Sequence, residues 1–111
     1  THVHYPQYKV IASYGTSLLE WLNQYTFVEE QRFSDENYAD QIANLFLDEL
    51  IKNGTTTVMT FCASYKKSVD AYFKASQKRN LRMVAGKVMM DRNDTNQKLW
   101  SASNVVSEKL I

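Results

Sequence analysis

The sequence predicts an α/β fold with a parallel sheet, on three observations. Strand-like and helix-like stretches alternate in the order strand, long loop, helix, strand, helix, strand, helix, the rhythm of βα crossovers. The later strand-like stretches, Thr55–Ala63 and Leu81–Met90, are rich in β-branched, Met, Val and Ala residues, as strands buried on both faces should be. The first strand ends in two histidines and runs into a long loop. That arrangement suits a (β/α)8 barrel, whose working groups sit at the C-terminal ends of its strands. No glycine-rich phosphate loop follows any strand, which counts against a nucleotide-binding doubly wound sheet. A whole barrel takes roughly 250 residues, so this chain of 111 residues holds about the first three βα units. Residues 1–111 are therefore expected to be one incomplete barrel domain, an excerpt from a longer protein.

The opening strand is Thr1-His2-Val3-His4, closed by Pro6, which has no amide hydrogen to give to a sheet. Side chains alternate along a strand, so His2 and His4 point to the same face; on a helix the same spacing would splay them apart. Two imidazoles on one face are the start of a divalent-metal site, although two ligands complete no zinc site by themselves. Tyr5 to Phe33 reads as a long irregular passage, with a sharp turn at Gly15 and one or two amphipathic turns at Leu18–Leu22. Leu18, Leu19 and Leu22 fall on one side of those turns, with Trp21 near the margin. Loops of this length in compact domains are often functional.

Ser34 or Asp35 caps the next helix. Tyr38, Ile42, Leu45, Phe46 and Leu50 recur along it at helical spacing, and Asn53-Gly54 supplies a left-handed stop. Thr55–Ala63 follows as a strand. A shorter helix over about Ser68–Lys78 carries Val69, Tyr72, Phe73 and Ser76 on one stripe, with Asn80 as its stop. In the third strand Gly86 suggests a close backbone approach or a bend. Asp91–Asp94 reads as a polar loop, and a last helix begins near Ser101. The methionines at 59, 83, 89 and 90 read as core filling.

Composition excludes several classes of function. Hydrophobic residues make up 44% and charged residues 23%, as in an ordinary folded domain. The net charge is +1 and the basic residues form no stripe, so neither nucleic acid nor an anionic membrane has an electrostatic footprint to bind. No apolar run approaches a membrane span and no signal peptide is evident, which makes a cytoplasmic location the expectation. Cys62 is the sole cysteine and lies in an apolar run, which reads as a buried, inert thiol rather than a nucleophile.

Three stretches together resemble the guanine deaminases of the amidohydrolase superfamily: Thr1-His2-Val3-His4-Tyr5-Pro6-Gln7, then Leu18-Leu19-Glu20-Trp21-Leu22 with Tyr25-Thr26-Phe27, then Gly86-Lys87-Val88-Met89-Met90-Asp91-Arg92-Asn93. The His-x-His pair alone marks only the superfamily. The resemblance covers Thr1 to about Asn93; the segment after it, Asp94–Trp100, is shorter than the family pattern. It implies hydrolytic deamination of guanine to xanthine and ammonia. It also implies one Zn2+ per subunit, with His2 and His4 as the first two ligands, and a homodimer. The remaining ligands and the proton-transfer carboxylates would come from later strands, so no catalytic acid is expected here. Gln7 matches a purine-touching position, where an amide offers both a donor and an acceptor. Judged by type alone, it could equally bond the backbone of its own loop. Trp21 is a candidate wall of the base pocket or a packing residue. Glu20, Glu29 and Glu30 are expected to be solvated, and Arg92 to pair with Asp91 or Asp94. The rival readings are another deaminase or chlorohydrolase of the superfamily and a non-catalytic α/β module. Thr-His-Val-His fits the related hydrolases equally; Tyr5-Pro6-Gln7 and Leu18–Phe27 favour guanine.

Overall fold

The computed structural model describes residues 1–15 and 17–90. The expectations for Thr16, the Asp91–Asp94 loop, Arg92 and the last helix lie outside the described residues. Three strands, β1 (His2–His4), β2 (Thr57–Cys62) and β3 (Arg82–Lys87), form a parallel sheet in the order β1-β2-β3. The register places His2 beside Met59 and His4 beside Phe61, and on the other side Phe61 beside Gly86. The expected parallel α/β architecture is therefore present, and the two histidines do share a face.

The passage from Tyr5 to Phe33 is not an irregular loop. It is a string of short helical pieces: a 3-10 helix at Tyr5–Val10, α1 at Leu18–Trp21, a π-helical turn at Leu22–Thr26, α2 at Phe27–Gln31 and a further 3-10 turn at Arg32–Ser34. Pro6 fits the first of these because its fixed φ suits an opening helical turn and its missing N–H would have no partner there. Ser17 caps α1 by accepting from the amide of Glu20. In the π turn the amide of Phe27 reaches back to the carbonyl of Leu22. The wider turn offsets α2 from α1. Leu18 and Leu19, expected on an apolar side, are exposed, whereas Thr26, Glu29 and Glu30 are buried. The left-handed residue in the break is Ala12, at φ 62°, rather than Gly15. Gly15 is required for space: a Cβ there would stand 2.6 Å from the Cβ of Trp21.

The long helix, α3 (Glu36–Lys52), is capped as expected. The Asp35 carboxylate accepts from the amides of Asn37 and Tyr38, and Gly54 at φ 73° follows the helix end. Ile42, Ala43, Phe46 and Leu47 are buried on one face of α3, which packs against α4 (Lys66–Lys78) and the 3-10 helix after β1, while Leu45 points outward. Each large apolar side chain so buried contributes about 1.5–3 kcal/mol. In α4 the buried set is Ser68, Ala71, Tyr72, Ala75 and Ser76; Phe73 is only half-buried. Asn80 ends the turn after α4 at φ 51°, a conformation that asparagine tolerates better than most residues.

The expectation that β2 and β3 are buried on both faces is corrected. Helix α4 packs against β2 and β3, and the 3-10 helix after β1 against β2; the buried face carries Val58, Thr60, Cys62 and Met83. The opposite face carries Met59 at 55%, Phe61 at 45% and Val84 at 46% exposure. An apolar pattern on both sides of a strand reports that both sides want burial; it does not report which neighbours supply it. For the same reason Met59 and Met89 are not core, and only Met83 is fully so. Gly86 has open space where a Cβ would sit, so no close approach explains it among the described residues.

Candidate metal centre

The histidines stand on the uncovered face of the sheet, at the C-terminal end of β1. Tyr5, the next residue, anchors that strand end. Its ring is fully buried between Phe33 and Tyr72, with centroids at 5.2 and 5.1 Å. Its hydroxyl donates to the carbonyl of Ser68 at 2.7 Å and lies 3.0 Å from the Ser68 hydroxyl, which in turn accepts from the Ala63 amide at 2.9 Å. One serine at the start of α4 thus ties together the ends of β1 and β2. Burial raises the pKa of the Tyr5 hydroxyl well above its usual range, so the group stays protonated and keeps donating. Cys62 lies in the same buried cluster, and burial pushes its thiol up to about 12. The inert-thiol expectation holds.

The two imidazoles face each other at 5.2 Å between centroids, 74° between planes. Phe61 fills the third corner at 4.7 Å from His2 and 5.0 Å from His4. His2 Nδ1 lies 3.2 Å from the carbonyl oxygen of Met59, and a carbonyl can only accept. The ring proton therefore sits on Nδ1 and the Nε2 lone pair is left over, the usual arrangement of a metal-binding histidine. The side-chain amide of Gln7 lies against His4, its nitrogen 3.3 Å from Nδ1, and Nε2 of His4 makes no hydrogen bond among the described residues. A metal on Nε2 would put the ring proton on Nδ1, from which the oxygen end of the Gln7 amide would then accept. Burial, then the charge of His2, lowers the pKa of His4, which favours the neutral ring that a metal needs.

The donor set fits a zinc ion as half of a site. At Zn–N of about 2.0–2.1 Å, two imidazoles on a tetrahedral ion bring their centroids to about 5 Å, close to the 5.2 Å observed. Among the described residues no group of three or more His, Cys, Asp or Glu side chains could hold an ion, so the other ligands are not among them.

Gln7 sits on the 3-10 helix directly past His4, half-buried, and reaches two partners: His4 Nδ1 and the carboxyl group of Glu30. Glu29 and Glu30, expected in solvent, are 8% and 5% exposed. Glu29 is met by the Tyr38 hydroxyl and by Arg32 at 3.2 Å. Burial pushes the Glu30 carboxyl up to about 7, partly opposed by the bond from Gln7, and Glu30 in turn adds to the upward shift that burial gives the Tyr65 hydroxyl. Glu20, by contrast, is exposed as expected. The indole N–H of Trp21 donates to the Ser13 hydroxyl at 2.7 Å, and Ser13 donates to the Val10 carbonyl at 2.7 Å. Trp21 thus staples the break between the 3-10 helix and α1. Sequence reasoning missed Phe61 and the burial of Glu30. Phe61 was findable, since it follows from carrying the period of two across to β2. The place of Glu30 was not, because its burial depends on α2 being a helix.

With this geometry established, the family can be assigned. A profile of the amidohydrolase family matches residues 1–110. The chain belongs to the amidohydrolase family. Its relatives within that family are consistent in kind. It is 50% identical over 93 residues to guanine deaminase of Escherichia coli, covering 84% of this chain and 21% of that protein. It is 41% identical over 96 residues to guanine deaminase of Mus musculus, covering 86% and 21%. Among solved structures, E. coli guanine deaminase superposes with a TM-score of 0.79 at 46% identity, over 93% of this chain and 23% of that one. Guanine deaminase from C. acetobutylicum, with guanine bound in its active site, superposes with a TM-score of 0.78 at 39% identity, over 86% and 23%. The chain spans about a fifth of the length of the curated relatives it matches.

Proposed function

We propose that the chain is the N-terminal part of the catalytic (β/α)8 barrel of a zinc-dependent guanine deaminase, comprising about its first three βα units as one incomplete domain. The observation that carries this reading is the imidazole pair on the uncovered apolar face of a parallel sheet, with both Nε2 atoms unbonded among the described residues. In a closed barrel that face is the lumen, which supplies the burial that Met59, Phe61 and Val84 lack here. Resemblance to solved guanine deaminases, one with guanine in its active site, favours this substrate over other heterocycles.

In this reading His2 and His4 supply two zinc ligands through Nε2, oriented by the Met59 carbonyl and by Gln7. Zinc bound there would acidify a water molecule at neutral pH. Gln7, in the turn above the histidines, contacts the purine, and Trp21 closes a wall of its pocket. Proton-transfer carboxylates and the remaining ligands come from later strands. The assembled enzyme carries one zinc per subunit, is a cytoplasmic homodimer, and converts guanine and water to xanthine and ammonia. Turnover of guanine against a panel of other purines, pyrimidines and triazines by the complete protein tests the reading. Preferred hydrolysis of a different ring by a zinc-loaded enzyme would move the assignment elsewhere in the family.

A further inference from the structure

Strand β2 places no His, Cys, Asp or Glu side chain on the face that carries the histidines; its residues there are Thr57, Met59 and Phe61. It meets both imidazoles all the same. The Met59 amide donates to the Thr1 carbonyl at 2.9 Å, and the Met59 carbonyl accepts from His2 Nδ1 at 3.2 Å. One residue of β2 thus fixes both the entry to β1 and the tilt of its first imidazole. Phe61, level with His4 in the register, sets its ring against both histidines, 4.7 Å from His2 at 78° and 5.0 Å from His4 at 73°. Its neighbour on the other side, Gly86, has no side chain, and a Cβ there would meet no atom within 4 Å among the described residues. The ring therefore packs toward β1.

An imidazole turns about its Cβ–Cγ bond in a broad, roughly two-fold well. The strand backbone fixes where each ring starts, and something else must fix where its nitrogens aim. Contacts at Nδ1 restrain that turn, but at 3.2 and 3.3 Å they are long. A flat wall steeply inclined to both rings restrains the two at once. Being a hydrocarbon, it offers no donor or acceptor to compete for either Nε2. We propose that Phe61 is a positioning residue for the metal centre, whose ring holds the His2 and His4 imidazoles at the spacing and tilt that a shared ion requires. This rests on the reading above in which the two histidines share a zinc ion. It goes beyond it in giving β2, which brings no ligand of its own to that face, the task of aiming the ligands of β1.

On the complete, zinc-loaded protein the readouts are zinc Kd, by competition with a chromophoric chelator, and the visible absorption of the Co2+-substituted form. Phe61→Leu and Phe61→Met keep apolar bulk and remove the flat ring. Each should raise zinc Kd about tenfold, the lower end of what a change outside the ligands themselves costs a metal site. Each should also broaden the Co2+ bands, because the imidazoles are no longer held at one angle. Val84→Ala trims the same face of the sheet at a residue level with Met59, on the strand beyond β2. It should leave both readouts as in the parent. Parent-like zinc affinity in both Phe61 variants overturns the inference. So does an equal loss in Val84→Ala, which would mark a general loosening of the face. Should one Phe61 variant not fold, the other decides against the same control. If the parent itself retains no zinc, the reading of the histidines as a metal pair is what has failed, and this inference falls with it.

Discussion

Glu30→Gln should make the protein more stable above neutral pH. The Glu30 carboxyl is 5% exposed, and burial lifts its pKa from 4.5 to about 7. For an acid whose folded pKa lies above its unfolded value, the folded state binds the proton more tightly. The stabilisation is therefore complete below the unfolded pKa and is lost as pH rises through the folded one. At about 1.4 kcal/mol per pH unit, the rise from 4.5 to about 7 is worth on the order of 3 kcal/mol. Urea melts of the complete protein at steps between about pH 5 and pH 8 should show stability declining over that window. In Glu30→Gln the decline should flatten by that amount, because a neutral amide keeps an acceptor for Gln7 and has no proton to lose. Parallel curves for the two proteins would refute the reasoning, since Glu30 would then titrate alike in both states.

Three further outcomes follow from the same geometry. Tyr5→Phe leaves the buried carbonyl and hydroxyl of Ser68 without their shared donor, and should cost about 1–3 kcal/mol in the same melts. Gln7→Ala should lower kcat/KM for guanine roughly tenfold to a hundredfold with zinc retained, and Gln7→Glu more, since a carboxylate cannot donate. The 111-residue chain expressed alone should lack a cooperative monomeric melt by calorimetry, because one face and both edges of its sheet are uncovered among the described residues.

The long elements were legible because each carries its period and its punctuation. Asp35 and Gly54 bracket α3, Asn80 closes the turn after α4, and the period of two alone places His2 and His4 on one face. Residues 5–33 were not legible as helix. None of the pieces is long enough to show a helical repeat, and the π turn breaks the phase between Leu18–Trp21 and Phe27–Gln31. Charge misled at Glu29 and Glu30: Gln7 and Tyr38 are brought to them by folding, and Arg32, three residues on from Glu29, reaches it because this stretch is helical. Met59 and Phe61 looked like core for a sound reason: they are apolar and need cover, but the cover lies outside the described residues. The half of the site that rests on strand register could be read in advance. The half that rests on the packing of α2 against the first turn could not.

Metal stoichiometry in the complete protein tests the central claim most directly. Elemental analysis should find one zinc, or a substitutable divalent ion, per chain in the parent. His2→Ala and His4→Ala should each lose metal and guanine turnover together, because each removes an Nε2 ligand from the centre. Stoichiometric metal in the His2→Ala, His4→Ala double variant would contradict the account.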